Sequence, residues 1–131
     1  MKVLQPPSWA RPRGFANGIA VSGGTTVYIA GQVGWTGPGV WQAKDFAGQF
    51  RQAMRNILDV LAQAGGRAEH IVRLTWYVID RDEYLAALKP VGEAYREIMG
   101  GHYPAMSVVQ VSGLVESLAR LEIEATAVIP D

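Results

Sequence analysis

Cysteine does not occur anywhere in this chain. That absence removes disulfide frameworks, thiolate nucleophiles and every zinc site built on sulfur. Histidine is nearly as scarce, with only His70 and His102. Neither has a second ligand at metal-binding spacing, so the sequence predicts no metal centre and no cofactor. An excess of charge of either sign is missing too. Twelve Lys and Arg balance twelve Asp and Glu, for a formal net charge of zero. A neutral chain without like-charge runs lacks the footprint of a nucleic-acid binder or of a membrane-surface patch. No apolar run approaches the roughly 20 residues of a spanning helix. The opening Met-Lys-Val-Leu-Gln-Pro-Pro has no signal-peptide core. Together these absences lead us to expect a cytoplasmic protein with no nucleic-acid or membrane partner.

What is present is apolar material in periodic order. Of the 131 residues, 49% are hydrophobic and 18% charged, a balance that excludes disorder. The length suits a single domain over 1–131, burying roughly two thirds of its unfolded surface. Residues 1–18 are rich in Pro, Gly and Arg and read as an irregular arm with room for one short edge strand. Gly18 to Gly31 reads as a hairpin, with Gly23-Gly24 supplying the positive φ of a tight turn. Residues 34–43 form a loop anchored by Trp35 and Trp41. Asp45 is a good N-cap for an amphipathic helix carrying Phe46, Phe50, Ala53, Met54, Ile57, Leu58 and Leu61, ending at Gly65-Gly66. Ile71–Ile79 alternates as a strand, with Val72, Leu74, Trp76 and Val78 on one face and Arg73, Thr75 and Tyr77 on the other. Asp80-Arg81-Asp82 caps a second helix that buries Leu85, Leu88, Val91, Tyr95 and Ile98 or Met99, with Pro90 disturbing its first turns. Pro104 then fits the first position of a strand running to Val111. A last strand, Leu121–Ile129, alternates Leu121, Ile123, Ala125, Ala127 and Ile129 against Glu122, Glu124, Thr126 and Val128.

This order predicts an α+β fold: a mixed sheet with two helices packed on one face. The strand from Met106 to Val111 is apolar on both sides and wants burial on both. No helix remains to cover the second face, so we expect other copies of the chain to cover it.

Five segments, in order and at similar spacing, resemble the reactive intermediate deaminase (RidA/YjgF/UK114) family. They are Tyr28-Ile29-Ala30-Gly31-Gln32, Leu58 to Gly65, Ile71-Val72-Arg73-Leu74-Thr75, Tyr103-Pro104-Ala105-Met106-Ser107 and Leu121 to Ala127. The resemblance implies a chorismate-mutase-like protomer, assembled as a homotrimer with a small-molecule pocket at each subunit boundary. It also implies hydrolysis of enamines and imines such as 2-aminoacrylate. Carried over by position, Glu122 is the catalytic glutamate that positions water. Ala30 and Gly31 occupy the substrate-binding turn. Phe15 stands where the family has a tyrosine, Lys89 where it has an asparagine, and Val108 where it has a cysteine. Met106 stands where the family has the arginine that grips the substrate carboxylate. Arginine offers a carboxylate parallel charge-assisted hydrogen bonds, each contributing about 1.5–3 kcal/mol; methionine offers none.

Two functions follow, from different classes. The first is a cofactor-free, diverged deaminase-type hydrolase, poor on 2-aminoacrylate and better suited to a larger or aromatic substrate such as an aminomuconate-like compound. The second is a non-catalytic trimer that binds a small metabolite or serves a chaperone-like or regulatory role. A ribonuclease, also associated with the family, is disfavoured by the neutral charge. Three groups compete to replace the missing guanidinium: Lys89, Arg13 and His102. For Glu122 the competing structural reading is a salt bridge to Arg73 or Arg120. Trp35 and Trp41 either close over a flat ligand or pack their own loop.

Overall fold

A computed structural model describes all 131 residues. Strands β1 (Lys2–Leu4) and β2 (Gly18–Ala20) pair with each other in a small antiparallel sheet. The main sheet has the order β3-β6-β4-β5, built from β3 (Thr25–Val33), β4 (Ile71–Val78), β5 (Ala105–Gln110) and β6 (Leu121–Ile129). Only β4 and β5 run parallel, so the sheet is mixed as expected. Helices α1 (Phe46–Ala62) and α3 (Leu88–Met99) join one face of that sheet in a single hydrophobic core. A short helix α2 (Arg81–Ala86) precedes α3. No helix is long and apolar enough to cross a membrane.

The periodic elements form as their residues dictate. Asp45 caps α1 by accepting from the Gly48 N–H. The α1 residues Phe50, Met54, Ile57 and Leu61 are fully buried against Leu74, Leu121 and Ile123 of the sheet. On β6, Leu121, Ile123, Ala125 and Ala127 are buried while Glu122, Glu124 and Thr126 face the other way.

Four expectations need correction. The Gly23-Gly24 turn forms, with φ of 72° and 77°, but the flanking segments do not pair as a hairpin. β2 takes β1 as its partner and β3 takes β6. β2 instead comes over the helix-free face beside Val72, Arg73, Thr126 and Val128, where they line a cleft of about 460 Å³. Secondly, a bulge between Ile71 and Arg73 puts Ile71, not Val72, into the core. One extra residue in a strand inverts the alternation beyond it. Thirdly, the second helix is broken at Ala87, and Pro90 sits in the first turn of α3, where its missing N–H has no partner to lose. Fourthly, the break restarts the helical phase, so Leu85 and Leu88 are each 49% exposed.

One buried polar side chain joins the loops on which the site rests. Gln49, 1% exposed, donates from Nε2 to the carbonyls of Leu118 (3.0 Å) and Ala43 (3.3 Å). Its Oε1 accepts the Arg120 N–H at 2.7 Å. Position 34 must be glycine for α1 to come this close, since a Cβ there would sit 2.6 Å from the Gln49 Cα. Replacing Gln49 with Leu removes the partner of these part-buried backbone groups. We expect a loss of about 1–3 kcal/mol in unfolding free energy, read from the urea midpoint at unchanged slope.

Candidate functional site

The two sheet faces carry different chemistry. Register assigns each residue to its face, because partners on neighbouring strands point the same way. Leu74 of β4 pairs with Met106, and Trp76 pairs with Val108. Leu74 and Trp76 belong to the core, so Met106 and Val108 lie on the helix side. Tyr77 pairs with Glu122 and Thr75 with Glu124, so both glutamates lie on the helix-free side. Within one chain, Met106 and Glu122 therefore face away from each other.

On the helix-free face, Glu122 meets the turn that the sequence pairs with it. A bulge in β3 between Ile29 and Gln32 takes Ala30 and Gly31 out of the ladder with β6. The Glu122 side chain lies directly over Gly31, where an added Cβ would sit 2.8 Å from the carboxylate carbon. Only glycine permits that approach. The expected partner Arg120 is bound to Glu83 instead, through Nε (2.9 Å) and Nη2 (2.7 Å). Arg73 does not bridge to Glu122 either, and the carboxylate has no ion pair. Beside it, the Tyr77 hydroxyl donates to Glu124 at 2.7 Å. That hydrogen bond raises the Tyr77 pKa above its ordinary value, with burial adding to it. Tyr28, 81% exposed, Arg73 and Glu124 border a cavity of about 450 Å³ on this face.

On the helix face, a groove of about 540 Å³ runs between β5, α3 and the N-terminal arm. Met106, Val108 and Phe15 line it, which brings together three of the positions that the sequence singles out. Arg13, the further candidate beside Phe15, lines it too. The rest of its wall was not foreseen and includes Trp76, Tyr84, Tyr95, Tyr103, Gly92 and Arg96. Tyr95 stacks on Tyr103 at 5.1 Å between ring centroids, and Trp76 stacks on Phe50 at 4.8 Å. Trp76 reads in sequence as plain core. Gly92 and Arg96 stand at i and i+4, one turn apart after Leu88, and that stripe was the available signal.

The remaining candidates are placed elsewhere. Lys89 is exposed on α3 and does not line the groove. The Nε2–H of His102 donates to the Ile71 carbonyl at 2.6 Å, and the His102 carbonyl accepts from the Tyr95 hydroxyl at 2.8 Å. That histidine holds the turn before β5. The Nδ1 of His70 accepts the Arg67 N–H at 3.0 Å. No cluster of His, Asp and Glu is arranged to hold a metal. Trp35 and Trp41 pack on each other at 5.6 Å. The Asn56 Nδ2 fixes their loop by donating to the Trp35 carbonyl at 2.7 Å.

Comparison with known proteins identifies the family. The family model described as endoribonuclease L-PSP matches residues 12–129. The chain belongs to the RidA/YjgF (endoribonuclease L-PSP) family. It is 30% identical over 104 residues to the human 2-iminobutanoate/2-iminopropanoate deaminase, covering 79% of this chain and 72% of that protein. A RutC family protein of Haemophilus influenzae is 32% identical over 110 residues, covering 83% of each. Among solved structures, the Rid-family protein YyfB of Yersinia pestis, of unknown function, superposes with a TM-score of 0.86 at 30% identity, covering 98% of both chains. A YjgF/YER057c/UK114 family member from Mycobacterium tuberculosis gives 0.66 at 31% identity, covering 88% of this chain and 87% of that one. The α+β architecture of this family is the one described above.

The groove phenols give a pH test. Burial raises the pKa of Tyr84, and burial with the neighbouring Tyr103 raises that of Tyr95, above the ordinary 10.0. The folded state thus favours the neutral phenols, while the unfolded chain ionises near the ordinary value. Their contribution is fully present at neutral pH and is lost as the pH climbs beyond about 10. We expect urea midpoints that fall above about pH 10 and less steeply in Tyr95→Phe. Ultraviolet titration should show at least one phenol ionising only on alkaline unfolding.

Proposed function

We propose that this protein is a diverged enamine/imine deaminase-type hydrolase, working as a homotrimer with a chorismate-mutase-like protomer and sites at the subunit boundaries. The observation that carries this reading is the split of the site residues between two faces of one sheet. Phe15, Met106 and Val108 face the helices; Ala30, Gly31 and Glu122 face away from them. The two halves meet around one ligand only if a second copy brings its helix-side groove to the helix-free face of the first. The deaminase relatives, named for 2-iminobutanoate and 2-iminopropanoate, support the reaction class.

In that reaction an enamine tautomerises to its imine and water adds to the imine carbon. The resulting carbinolamine then expels ammonia and leaves a 2-oxo acid. The unpaired Glu122 carboxylate is suited to accept the proton of the attacking water and to return it to the departing nitrogen. The bulged backbone at Ala30-Gly31, outside the ladder, offers hydrogen-bonding groups to the substrate. Met106 supplies a polarisable, apolar wall and no anion contact. The rate on 2-aminoacrylate should accordingly be low. The second reading, a binding trimer without turnover, is favoured by the same apolar wall.

Ammonia release from freshly generated 2-aminoacrylate tests this directly. We expect slow turnover by the wild type and loss of it in Glu122→Gln and in Gly31→Ala, whose added Cβ displaces the carboxylate. Met106→Arg should gain at least about tenfold in kcat/KM, since one charge-assisted hydrogen bond contributes about 1.5–3 kcal/mol. Turnover undiminished in Glu122→Gln contradicts the hydrolase, and a solution mass of one chain contradicts the shared site.

A further inference from the structure

The helix-side groove carries features that Met106 alone does not explain. Two arginines line it, Arg13 and Arg96, and no acidic residue does. Neither arginine is in an ion pair; the chain's bridges use Arg51, Arg67, His70 and Arg120 instead. The one buried side-chain polar atom without a hydrogen-bond partner is Nε1 of Trp76, a residue 4% exposed that lines this same groove. A buried indole N–H left unpaired is costly, and such groups are rare unless something else satisfies them. Gly92 is the third feature. It sits inside α3, where glycine costs about 0.8–1.0 kcal/mol relative to alanine. A Cβ there would meet nothing within 4 Å. Neither packing nor a positive φ requires this glycine, and it leaves open space beside the groove.

We propose that the groove binds a flat aromatic carboxylic acid, its ring system between the aromatic walls and its carboxylate held by Arg13 and Arg96. This rests on the small-molecule site proposed above and names its ligand class. The volume of about 540 Å³ is in the range of small-molecule pockets, roughly 300–1,000 Å³. The rings of Tyr95 and Tyr103 are stacked, 5.1 Å between centroids and 11° from parallel, so each holds the other in place at the groove wall. Planar guanidiniums suit a carboxylate, and two of them without a local acid make the groove selective for an anion. The acid is then gripped at the rim of the groove, by residues of the arm and of α3, and not from β5 where the family resemblance places the arginine. A short 2-oxo acid is too small to reach the rim and fill the aromatic walls together.

The test uses the full chain in its native assembly, with 2-naphthoate, its neutral counterpart 2-naphthamide, and pyruvate as probes. Binding is followed by the Trp76 indole N–H resonance, assigned with Trp76→Phe. We expect saturable shifts with 2-naphthoate, about tenfold tighter binding than 2-naphthamide, and at least about tenfold weaker binding of pyruvate. Arg13→Gln and Arg96→Gln should remove the preference for acid over amide while leaving amide affinity unchanged. Gly92→Leu should fill the groove and abolish binding of both rings, with circular dichroism and melting temperature retained. Gly92→Ala, a smaller change that favours the helix, should weaken them only partly. Equal affinity for acid and amide, or a preference that survives both arginine variants, overturns the assignment. So does binding undisturbed by Gly92→Leu. Glu122-dependent turnover of 2-aminoacrylate alongside no naphthoate binding refutes the aromatic acid and leaves the hydrolase standing. Naphthoate selectivity without any such turnover supports the ligand class and removes 2-aminoacrylate as a substrate.

Discussion

Side chains that share a register position across a sheet share a face, and they cannot change sides without moving the whole strand by one residue. That constraint decides what this molecule can do. The parallel register of β4 with β5 commits Met106 and Val108 to the helices. The antiparallel register of β4 with β6 commits Glu122 and Glu124 to the opposite face. One side of the sheet thus carries an apolar, aromatic groove with positive charge at its rim, and the other carries carboxylates and a bulged backbone. A single protomer separates the Met106 groove from the Glu122 carboxylate by the thickness of its own sheet. Any reaction that needs both must draw them from different copies.

The groove exists because two packing rules are relaxed along α3. A helix against a sheet edge normally fills the space between with large side chains. Here the break at Ala87 turns Leu88 partly outward, and Gly92 contributes no side chain at all. The aromatic residues that remain are held from behind. Trp76 is stacked by Phe50 and met edge-on by Tyr84. Tyr95 is fixed by its hydrogen bond to the His102 carbonyl. Rings whose orientation is set by the core form a wall that does not collapse into the space left by a missing side chain.

Long elements with a clean period were legible in the sequence. The α1 stripe, the β6 alternation and the Asp45 cap follow from local pattern, and packing agrees with it. What escaped was whatever depends on one extra residue or on a partner distant in the chain. The bulge at Ile71/Arg73 exchanged Ile71 for Val72 in the core, and a period-2 reading has no means of seeing it. The Gly23-Gly24 turn was correctly read, yet turn chemistry says only that the chain reverses, not that its arms hydrogen-bond. β3 found the longer antiparallel partner in β6, and β2 went to β1. Among the candidate residues, Ala30, Gly31 and Glu122 come from the family resemblance, and the fold brings them together. Gly92 and Arg96 were not, since both look like ordinary helix positions until the space beside them is seen.

The arm illustrates how edge protection and groove building become one contact. β5 is an edge strand of the main sheet, and an unpaired edge invites association with another chain. Here the arm covers its start. Ala16 forms a parallel bridge with Ala105, its N–H donates to the Pro104 carbonyl at 3.0 Å, and its side chain is buried. The backbone at Ala16 is therefore pinned to the strand that carries Met106. Phe15 and Arg13 lie one and three residues before that pin, and Gly14 between them has a φ of 80°, open to glycine at little steric cost. The sharp turn at Gly14 carries Phe15 and Arg13 to the wall of the groove. A contact that shields a sheet edge thus also places Arg13 and Met106 along the same groove.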